Sequence, residues 1–198
     1  PVVRHSVEAL AAAGIAPIVV AIPAGADEQA RAALAGLDVH LVTGGSTRRE
    51  SVCNALEALA ADAPDAVLIH DAARPGLPAT VIDRLLAALA GKPGAMPVLP
   101  VVDSIAHAEG DMMGMPARRE DLRRVQTPQA FSAELLRRAH AAEPEATDDA
   151  ALVEALGARV VVVEGEPTND KITDPADLAT ARAQLTGGRT MQMQMQMR

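Results

Sequence analysis

The chain has 198 residues, 49% of them apolar, with one aromatic residue and a formal net charge of −8. That length and composition suit one globular domain, and no apolar run approaches the roughly 20 residues needed to span a bilayer. The acidic balance and the near absence of aromatic rings argue against binding to nucleic acid or to a membrane surface, where clustered Lys and Arg are usual.

Apolar periodicity predicts alternating helices and short strands along the chain. The predicted helices cover residues 4–13, 27–35, a segment after residue 47 with a stripe at Val52, Leu56 and Leu59, 81–89, 132–141, 147–157 and a last segment from residue 174. The predicted strands cover residues 17–22, 38–42, 66–69, 96–102 and 159–164. This alternation predicts an α/β fold with a mostly parallel sheet that is covered on both faces.

Two segments fall outside the alternation. Residues 103–126 are polar, rich in Arg and too long for an ordinary connection, so we expect a protruding arm that contacts a second subunit. Residues 187–198 end in MQMQMQMR, a low-complexity sequence that we interpret as a tail or linker. The folded domain is therefore expected to span residues 1–186.

The first candidate binding segment begins at Gly44 and Gly45 and continues into a predicted helix. Glycines allow the backbone to approach a ligand closely, and a helix N-terminus offers free N–H groups. Arg48 and Ser51 share one helix face because they are three residues apart. An ordinary glycine turn before a helix has the same pattern, so both interpretations stay open at this point.

A second candidate follows the predicted strand 66–69, at the sheet edge where open parallel sheets bind ligands. Asp71 can hold Mg²⁺ or a sugar hydroxyl, and Arg74 can bind a phosphate through two hydrogen bonds. The alternative is an Asp turn with an internal Asp71–Arg74 pair. We expect His70 to pack rather than to titrate, and Cys53 to pack in a helix rather than to react.

Two basic segments complete the candidate set. Residues 118–124 carry four arginines, for three of which (Arg118, Arg123 and Arg124) a solvated surface is the favoured interpretation. Lys171 follows the last predicted strand and can reach a phosphate at the sheet edge, although a lone loop lysine is ordinarily a solvated charge.

Four strings in this order resemble the 2-C-methyl-D-erythritol 4-phosphate cytidylyltransferase family: VLIHDAARP, VQTPQAF, TDDA and PTNDKITDP. Any one of them would be weak, but the set and its spacing match the family from Val2 to about Leu185. The resemblance implies a three-layer α/β/α, Rossmann-like nucleotidyltransferase fold. It also implies cytidylyl transfer from CTP to 2-C-methyl-D-erythritol 4-phosphate, with Mg²⁺ or another divalent cation, in non-mevalonate isoprenoid biosynthesis.

The resemblance also assigns roles to residues. CTP binding falls to Gly44, Gly45, Ser46, Arg48, Ser51 and Asp71, of which Asp71 also lies in the metal region. Binding of the second substrate falls to Asp71, Arg74, Ser104, Arg119, Thr127, Thr147 and Lys171, with Arg119 and Lys171 as the catalytic pair. The arm of this family forms a homodimer, so Arg119 is expected to act in the neighbouring subunit's site.

The family's opening strand and its glycine-rich loop with an Arg and a Lys have no counterpart in this sequence. We expect them to precede Pro1, and we expect residues 1–198 alone to be inactive. Two alternatives stay open: a cytidylyltransferase for another polyol phosphate, such as ribitol phosphate, and a non-catalytic relative that binds nucleotide or dimerises. With a single cysteine and no secretory signal, a reducing cytoplasm is the expected location.

Overall fold

The computed structural model describes residues 1–142 and 148–196, with side chains described through residue 186. The helices in these ranges are α1 (Val2–Ala12), α2 (Asp27–Ala33), α3 (Arg48–Ala58), α4 (Ala79–Leu89), α5 (Ala133–Ala141), α6 (Asp149–Ala155) and α7 (Pro175–Gln196). The strands are β1 (Val19–Ile22), β2 (His40–Thr43), β3 (Ala66–Ile69), β4 (Gly94–Pro100), β5 (Ile105–Glu109), β6 (Met112–Ala117), β7 (Arg123–Val125), β8 (Gln129–Ser132) and β9 (Val161–Glu164).

The main sheet has the strand order β3-β8-β4, and β4 also pairs with β7 and β9. Strands β3, β4 and β9 run in one direction, because β3 and β4 are each antiparallel to β8 and β9 is parallel to β4. Strands β1 and β2 form a separate parallel pair. The predicted α/β fold with a mainly parallel sheet is confirmed, while the antiparallel strands β7 and β8 were not predicted.

Helices cover both faces of the sheet, which gives three layers. On one face, α1 and α4 contribute the buried side chains Val7, Leu10 and Ile82. On the other face, α5 and α6 contribute Leu136 and Val153, both with 0% exposure. Burying a side chain of this size stabilises the fold by about 1.5–3 kcal/mol. The two apolar cores therefore fix the sheet whose edge carries the candidate site.

A slot of about 460 Å³ separates β1 from β3. In the described part of the chain, β1 pairs with β2 and β3 pairs with β8, so each strand turns its other edge toward this slot. Its walls include the apolar residues Val20, Val52, Val67 and Ile69. Unpaired strand edges facing one another across an apolar gap offer the hydrogen-bonding groups that another strand would pair with.

The predicted arm, residues 103–126, contains a hairpin of β5 and β6 that the sequence did not reveal. The antiparallel pair is joined through Gly110, whose φ of 61° belongs to the left-handed region that favours glycine. All residues of β5 are exposed. The segment is therefore a regular two-stranded projection rather than an irregular excursion.

Two helix termini differ from the prediction. Helix α6 begins at Asp149 rather than at residue 147, because the Asp148 side chain accepts the Ala151 N–H at 2.9 Å and caps it. Helix α7 continues to Gln196 and includes most of the predicted tail, whose role as a linker stays a prediction. Among the described helices, none combines the length and the apolar character required to cross a bilayer.

Candidate functional site

The glycine loop ends in a well-capped helix. Thr47 Oγ1 accepts the Glu50 N–H at 3.1 Å, and the Glu50 carboxylate accepts the Thr47 N–H at 3.3 Å, which is a capping box. Glu50 also accepts the N–H and the hydroxyl of Ser46 at 2.6 and 2.7 Å. These bonds, led by that from the Ser46 hydroxyl, lower the pKa of Glu50 below its ordinary value. The carboxylate therefore organises the loop.

Both glycines of this loop are required by close approach. A Cβ on Gly44 would lie 2.8 Å from Ser51 Oγ, and a Cβ on Gly45 would collide with Glu50. Ser51 Oγ accepts the Gly45 N–H at 3.1 Å and donates to the Thr47 carbonyl at 3.0 Å. The N–H groups of Gly45 and Ser46, two residues predicted to bind CTP, are thus engaged within the loop.

Three cations surround the carboxylate of Asp71 at the end of β3. Lys171 Nζ lies 3.1 Å from Oδ2, Arg48 Nε lies 3.6 Å from Oδ1, and Arg74 Nε lies 3.7 Å from Oδ2. Burial alone would raise the pKa of Asp71, but Lys171 with the two arginines holds it below its ordinary value. Three basic side chains thus meet at one strand end, where Arg and Lys can donate to phosphate groups, although Arg48 is also paired with Asp149.

A polar chain fixes the backbone of Asp71. The Asp71 N–H donates to Thr127 Oγ1 at 2.9 Å, which orients the Thr127 hydroxyl toward His70 Nδ1 at 3.1 Å. The other ring nitrogen of His70 lies 3.1 Å from the Arg74 carbonyl and donates to it. Burial lowers the pKa of His70 to about 4, so the ring is neutral and packs, as the sequence predicted. Thr127 supports Asp71 here, and its predicted contact with substrate stays a prediction.

Arg74 ties the β3 edge to the loop that carries Lys171. It is 9% exposed, and its Nη1 donates to the Asn169 carbonyl at 2.9 Å. Asn169 is fully buried and donates from Nδ2 to the Thr127 carbonyl at 2.7 Å. Burial lowers the pKa of Arg74 below its ordinary value, with Asp71 opposing the shift. The predicted phosphate ligand Arg74 is therefore mainly committed to holding the two loops together.

A second chain of contacts reaches Arg48 from the opposite side. Arg48 Nη1 donates to Asp149 Oδ2 at 2.7 Å, and His140 Nε2 lies 3.0 Å from Asp149 Oδ1. The thiol of Cys53 lies 3.2 Å from His140 Nδ1. Burial would raise the pKa of Asp149, but His140 and Arg48 lower it below its ordinary value. Asp149 is consequently a buried, ionised anchor for Arg48.

The structure brings together Asp71, Arg74 and Lys171 with the helix that carries Arg48, as the sequence predicted. It does not bring Arg119 to this cluster within one chain: Arg119 Nη1 donates to the Val102 carbonyl at 2.8 Å on the arm. Ser104 is exposed at the base of the same arm. Thr147, the remaining predicted residue, lies outside the described residues.

A cavity of about 520 Å³ opens beside Lys171. It lies between the loop after β9, the end of β7 and helix α7. Its charged lining consists of Arg74, Arg124, Lys171, Asp170 and Asp177, of which Arg124 and Asp170 form an ion pair at 2.7 Å. This space adjoins the Asp71 cluster and has room for a small polyol phosphate.

A divalent cation has one suitable protein ligand in this cluster. No group of three or more His, Cys, Asp or Glu side chains that could hold a metal occurs among the described residues. Mg²⁺ at nucleotide sites is commonly held by one or two carboxylates together with substrate phosphates. Asp71, which is part-exposed in the cluster, fits that donor set. The residues of the cluster do not fit a metal site built from protein ligands alone.

The sequence did not reveal Asn169, Gln126, His140 or Asp149 as members of the site. Gln126 is 2% exposed and bonds the Glu166 carbonyl at 2.9 Å from Nε2. The polar strings VQTPQ and PTND offered a signal for Gln126 and Asn169, because buried strands and their ends seldom carry unpaired amides. No comparable signal links His140 with Asp149 or Arg48.

Comparison with known proteins gives a consistent result. A family model described as 2-C-methyl-D-erythritol 4-phosphate cytidylyltransferase matches residues 1–187. A bifunctional enzyme IspD/IspF of Novosphingobium aromaticivorans is 57% identical over 182 residues, which are 90% of this chain and 47% of that protein. The chain thus spans about half the length of such bifunctional relatives.

Single-function relatives and solved structures point to the same family. A 2-C-methyl-D-erythritol 4-phosphate cytidylyltransferase of Rhodococcus jostii is 49% identical over 175 residues, covering 86% of this chain and 76% of that protein. The crystal structure of the Thermus thermophilus cytidylyltransferase of the same description has a TM-score of 0.83 at 40% identity, covering 93% of this chain and 89% of that one.

Proposed function

The chain belongs to the 2-C-methyl-D-erythritol 4-phosphate cytidylyltransferase family, and we propose on this basis that it transfers a cytidylyl group from CTP to 2-C-methyl-D-erythritol 4-phosphate. A phosphate oxygen of the acceptor attacks the α-phosphorus of CTP. The bond from that phosphorus to the oxygen bridging to the β-phosphate breaks, and pyrophosphate leaves. The product would enter isoprenoid biosynthesis, where this family acts.

The cation cluster around Asp71 is the observation that carries this proposal. Two anions must approach one another for this reaction, so positive charge at fixed positions lowers its barrier. Lys171, which is 46% exposed at its side chain, can turn from Asp71 to the acceptor phosphate. Arg48, at the start of the helix that follows the glycine loop, pairs with the same carboxylate. Asp71 would then be free to accept hydroxyl groups or to share a cation with the phosphates.

The same carboxylate gives the proposed place of Mg²⁺. Asp71 would hold the ion together with CTP phosphate oxygens, since a single carboxylate from the protein is sufficient when phosphates supply further oxygens. When bound, the ion would neutralise charge on the triphosphate. In this arrangement the protein would keep Asp71 fixed through the hydrogen bond from the Asp71 N–H to Thr127.

We further propose a homodimer built through the arm. Its hairpin exposes three large apolar side chains, Met112, Met113 and Met115, with 74%, 83% and 72% of their surface accessible. Exposed apolar patches on a projecting element are typical of protein interfaces. Arg119 lies on this arm and bonds Val102 rather than the Asp71 cluster of its own chain. A second subunit would supply Arg119 to that cluster.

A cytoplasmic location goes with this proposal. Both substrates are phosphorylated metabolites, and the only cysteine, Cys53, is unpaired. That cysteine usage suits a reducing compartment.

Product identification tests the proposal. The protein with its native residues upstream of Pro1 would be incubated with CTP, Mg²⁺ and 2-C-methyl-D-erythritol 4-phosphate, and the products analysed by ³¹P NMR and mass spectrometry. We expect stoichiometric pyrophosphate and a cytidine diphosphate ester of methylerythritol. Release of pyrophosphate without that ester would indicate CTP hydrolysis or another acceptor, and would reject the proposed substrate.

A further inference from the structure

The side chain of Arg48 is held by Asp149, a residue of the TDDA string, and Asp149 is held in turn by the buried His140. We infer that Asp149 and His140 are positioning residues that keep the Arg48 guanidinium turned toward the nucleotide. This inference rests on the proposed function, because it gives Arg48 a role in CTP binding. Neither residue would itself touch a substrate.

The Asp149 side chain is fixed in position by burial and by its hydrogen bonds. Its side chain is 1% exposed, while that of Arg48 is 40% exposed. Both carboxylate oxygens are engaged, Oδ2 by Arg48 at 2.7 Å and Oδ1 by His140 at 3.0 Å. A long arginine side chain at a helix start would otherwise populate several rotamers. A charge-assisted hydrogen bond to a fixed carboxylate selects one of them before the nucleotide arrives.

His140 is fixed in turn by its surroundings. Its side chain is 4% exposed, and its carbonyl accepts the Arg49 Nη2 at 2.7 Å. Since Asp149 Oδ1 can only accept, His140 Nε2 carries the proton of that bond. In the neutral ring the remaining nitrogen, Nδ1, is then an acceptor for the thiol of Cys53 at 3.2 Å. Helices α3 and α5 thereby orient the carboxylate at the start of α6.

The geometry also separates the two carboxylates that compete for Arg48. Asp149 Oδ2 lies 2.7 Å from Nη1, whereas Asp71 Oδ1 lies 3.6 Å from Nε. Without the negative charge of Asp149, the guanidinium has only Asp71 as a carboxylate partner among the described residues. It would then pair more closely with Asp71, and both side chains would be less available to CTP and its cation. Asp149 therefore keeps Arg48 available for CTP and Asp71 available for the reaction.

Steady-state kinetics on the full-length protein test this inference. Asp149→Asn keeps the size of the side chain but removes its charge, and we expect the KM for CTP to rise about tenfold, the effect of one charge-assisted bond. The KM for methylerythritol phosphate should change less than about twofold. His140→Leu should raise the CTP KM in the same direction, whereas His140→Gln, which retains an N–H donor, should restore most of it.

A double-mutant comparison separates positioning from general stability. In an Arg48→Ala background, Asp149→Asn should add nothing further to the CTP KM, because the residue through which it acts is gone. Glu134→Gln on the same helix as His140 serves as the matched control, since the Glu134 side chain is 84% exposed. If Asp149→Asn does not fold, the variants His140→Leu and His140→Gln still test the inference.

Three outcomes would overturn the inference. They are an unchanged CTP KM in folded Asp149→Asn, fully multiplicative effects in the double variant, and equal losses for CTP and methylerythritol phosphate. The wild-type protein is assayed first in the same series. If the wild type turns over CTP and the variants are unaffected, only the positioning roles are rejected. If the wild type shows no turnover, the proposed function is rejected as well.

Discussion

The ammonium of Lys171 lies 3.1 Å from Asp71 Oδ2 and joins the loop after β9 to the end of β3. Neighbouring contacts hold the same junction, since the Ile172 N–H donates to the Ala73 carbonyl at 2.9 Å. A Cβ on Gly76 would collide with the Thr168 carbonyl, so the two loops touch at the backbone. This junction sets the position of the lysine that we propose for the acceptor phosphate.

Replacing Lys171 tests that role. We expect Lys171→Ala to lower kcat/KM for methylerythritol phosphate by about a hundredfold, the cost of removing one well-placed charge from a reacting phosphate. The Kd of CTP, measured by calorimetry, should stay within about threefold. The matched control is Lys92→Ala, because Lys92 is the other lysine of the chain and is exposed. A loss of CTP affinity as large as the loss of kcat/KM would assign Lys171 to the nucleotide.

The arm allows a complementation experiment. If Arg119 acts in the partner's site, dimers that mix Arg119→Ala and Lys171→Ala subunits contain one site with both residues intact. We expect such dimers of the full-length protein to recover up to about half of the wild-type activity, while each parental dimer stays below a few per cent. Activity would be measured on mixed dimers purified through two different affinity tags.

A neighbouring arginine supplies the control for this experiment. Arg118→Ala subunits should be fully active, because Arg118 is 80% exposed at its side chain and pairs only with Asp121 in the described structure. Mixed dimers with no recovery would contradict the placement of Arg119 in the partner subunit's site. Monomeric protein in sedimentation velocity would contradict the proposed dimer itself.

The buried ring of His70 gives a prediction for stability against pH. Its pKa is lowered to about 4 in the folded chain, from an ordinary value of 6.5. Below pH 6.5 the His70 ring binds a proton in the unfolded chain but not in the folded chain. Stability is therefore lost as the pH falls toward 4. We expect this residue to contribute a loss of about 2 kcal/mol between pH 7 and pH 5.

Urea unfolding at both pH values measures that contribution. His70→Gln should unfold with a smaller difference between pH 7 and pH 5 than the wild type, whatever its absolute stability. His107→Gln, at an exposed position of β5, should leave the wild-type difference unchanged. If His70→Gln keeps the full pH dependence, the acid sensitivity arises from other groups.

Local sequence patterns predicted those parts of the fold that bury continuous apolar surface. The strand Ala66–Ile69 has the predicted bounds, because four apolar residues between polar turns leave little freedom of register. The hairpin of β5 and β6 was missed, since its two strands are exposed and lack the alternation by which strands are recognised. Gly110 and Asp111 between them are a turn signal that would have found it.

The candidate site was predictable where it follows strand ends and not where it depends on packing between helices. Asp71 and Lys171 each follow a strand, so the carboxyl-edge rule brought them together. The contact of His140 with Asp149 depends on how α5 packs against α6, which no local pattern determines. For Arg74 the sequence left two interpretations open, and the structure favours the internal pair with Asp71 at 3.7 Å.

The slot between β1 and β3 supports a prediction about the residues upstream of Pro1. We propose that they supply a strand for this slot and the loop that binds the triphosphate. Residues 1–198 alone should then unfold at a lower temperature than the chain with its native upstream residues, by about 10 °C or more, because unpaired edges and apolar walls are exposed. Differential scanning calorimetry of the two proteins provides the comparison, and equal midpoints would contradict the proposed strand.

Acceptor specificity is the most direct test of the proposed activity. Pyrophosphate release from CTP and Mg²⁺ would be followed with the full-length protein and either 2-C-methyl-D-erythritol 4-phosphate or ribitol 5-phosphate as acceptor. We expect kcat/KM to be at least about a hundredfold higher for methylerythritol phosphate, and Asp71→Asn to lower it by a similar factor. A preference for ribitol 5-phosphate, or no turnover with either acceptor, would contradict the account.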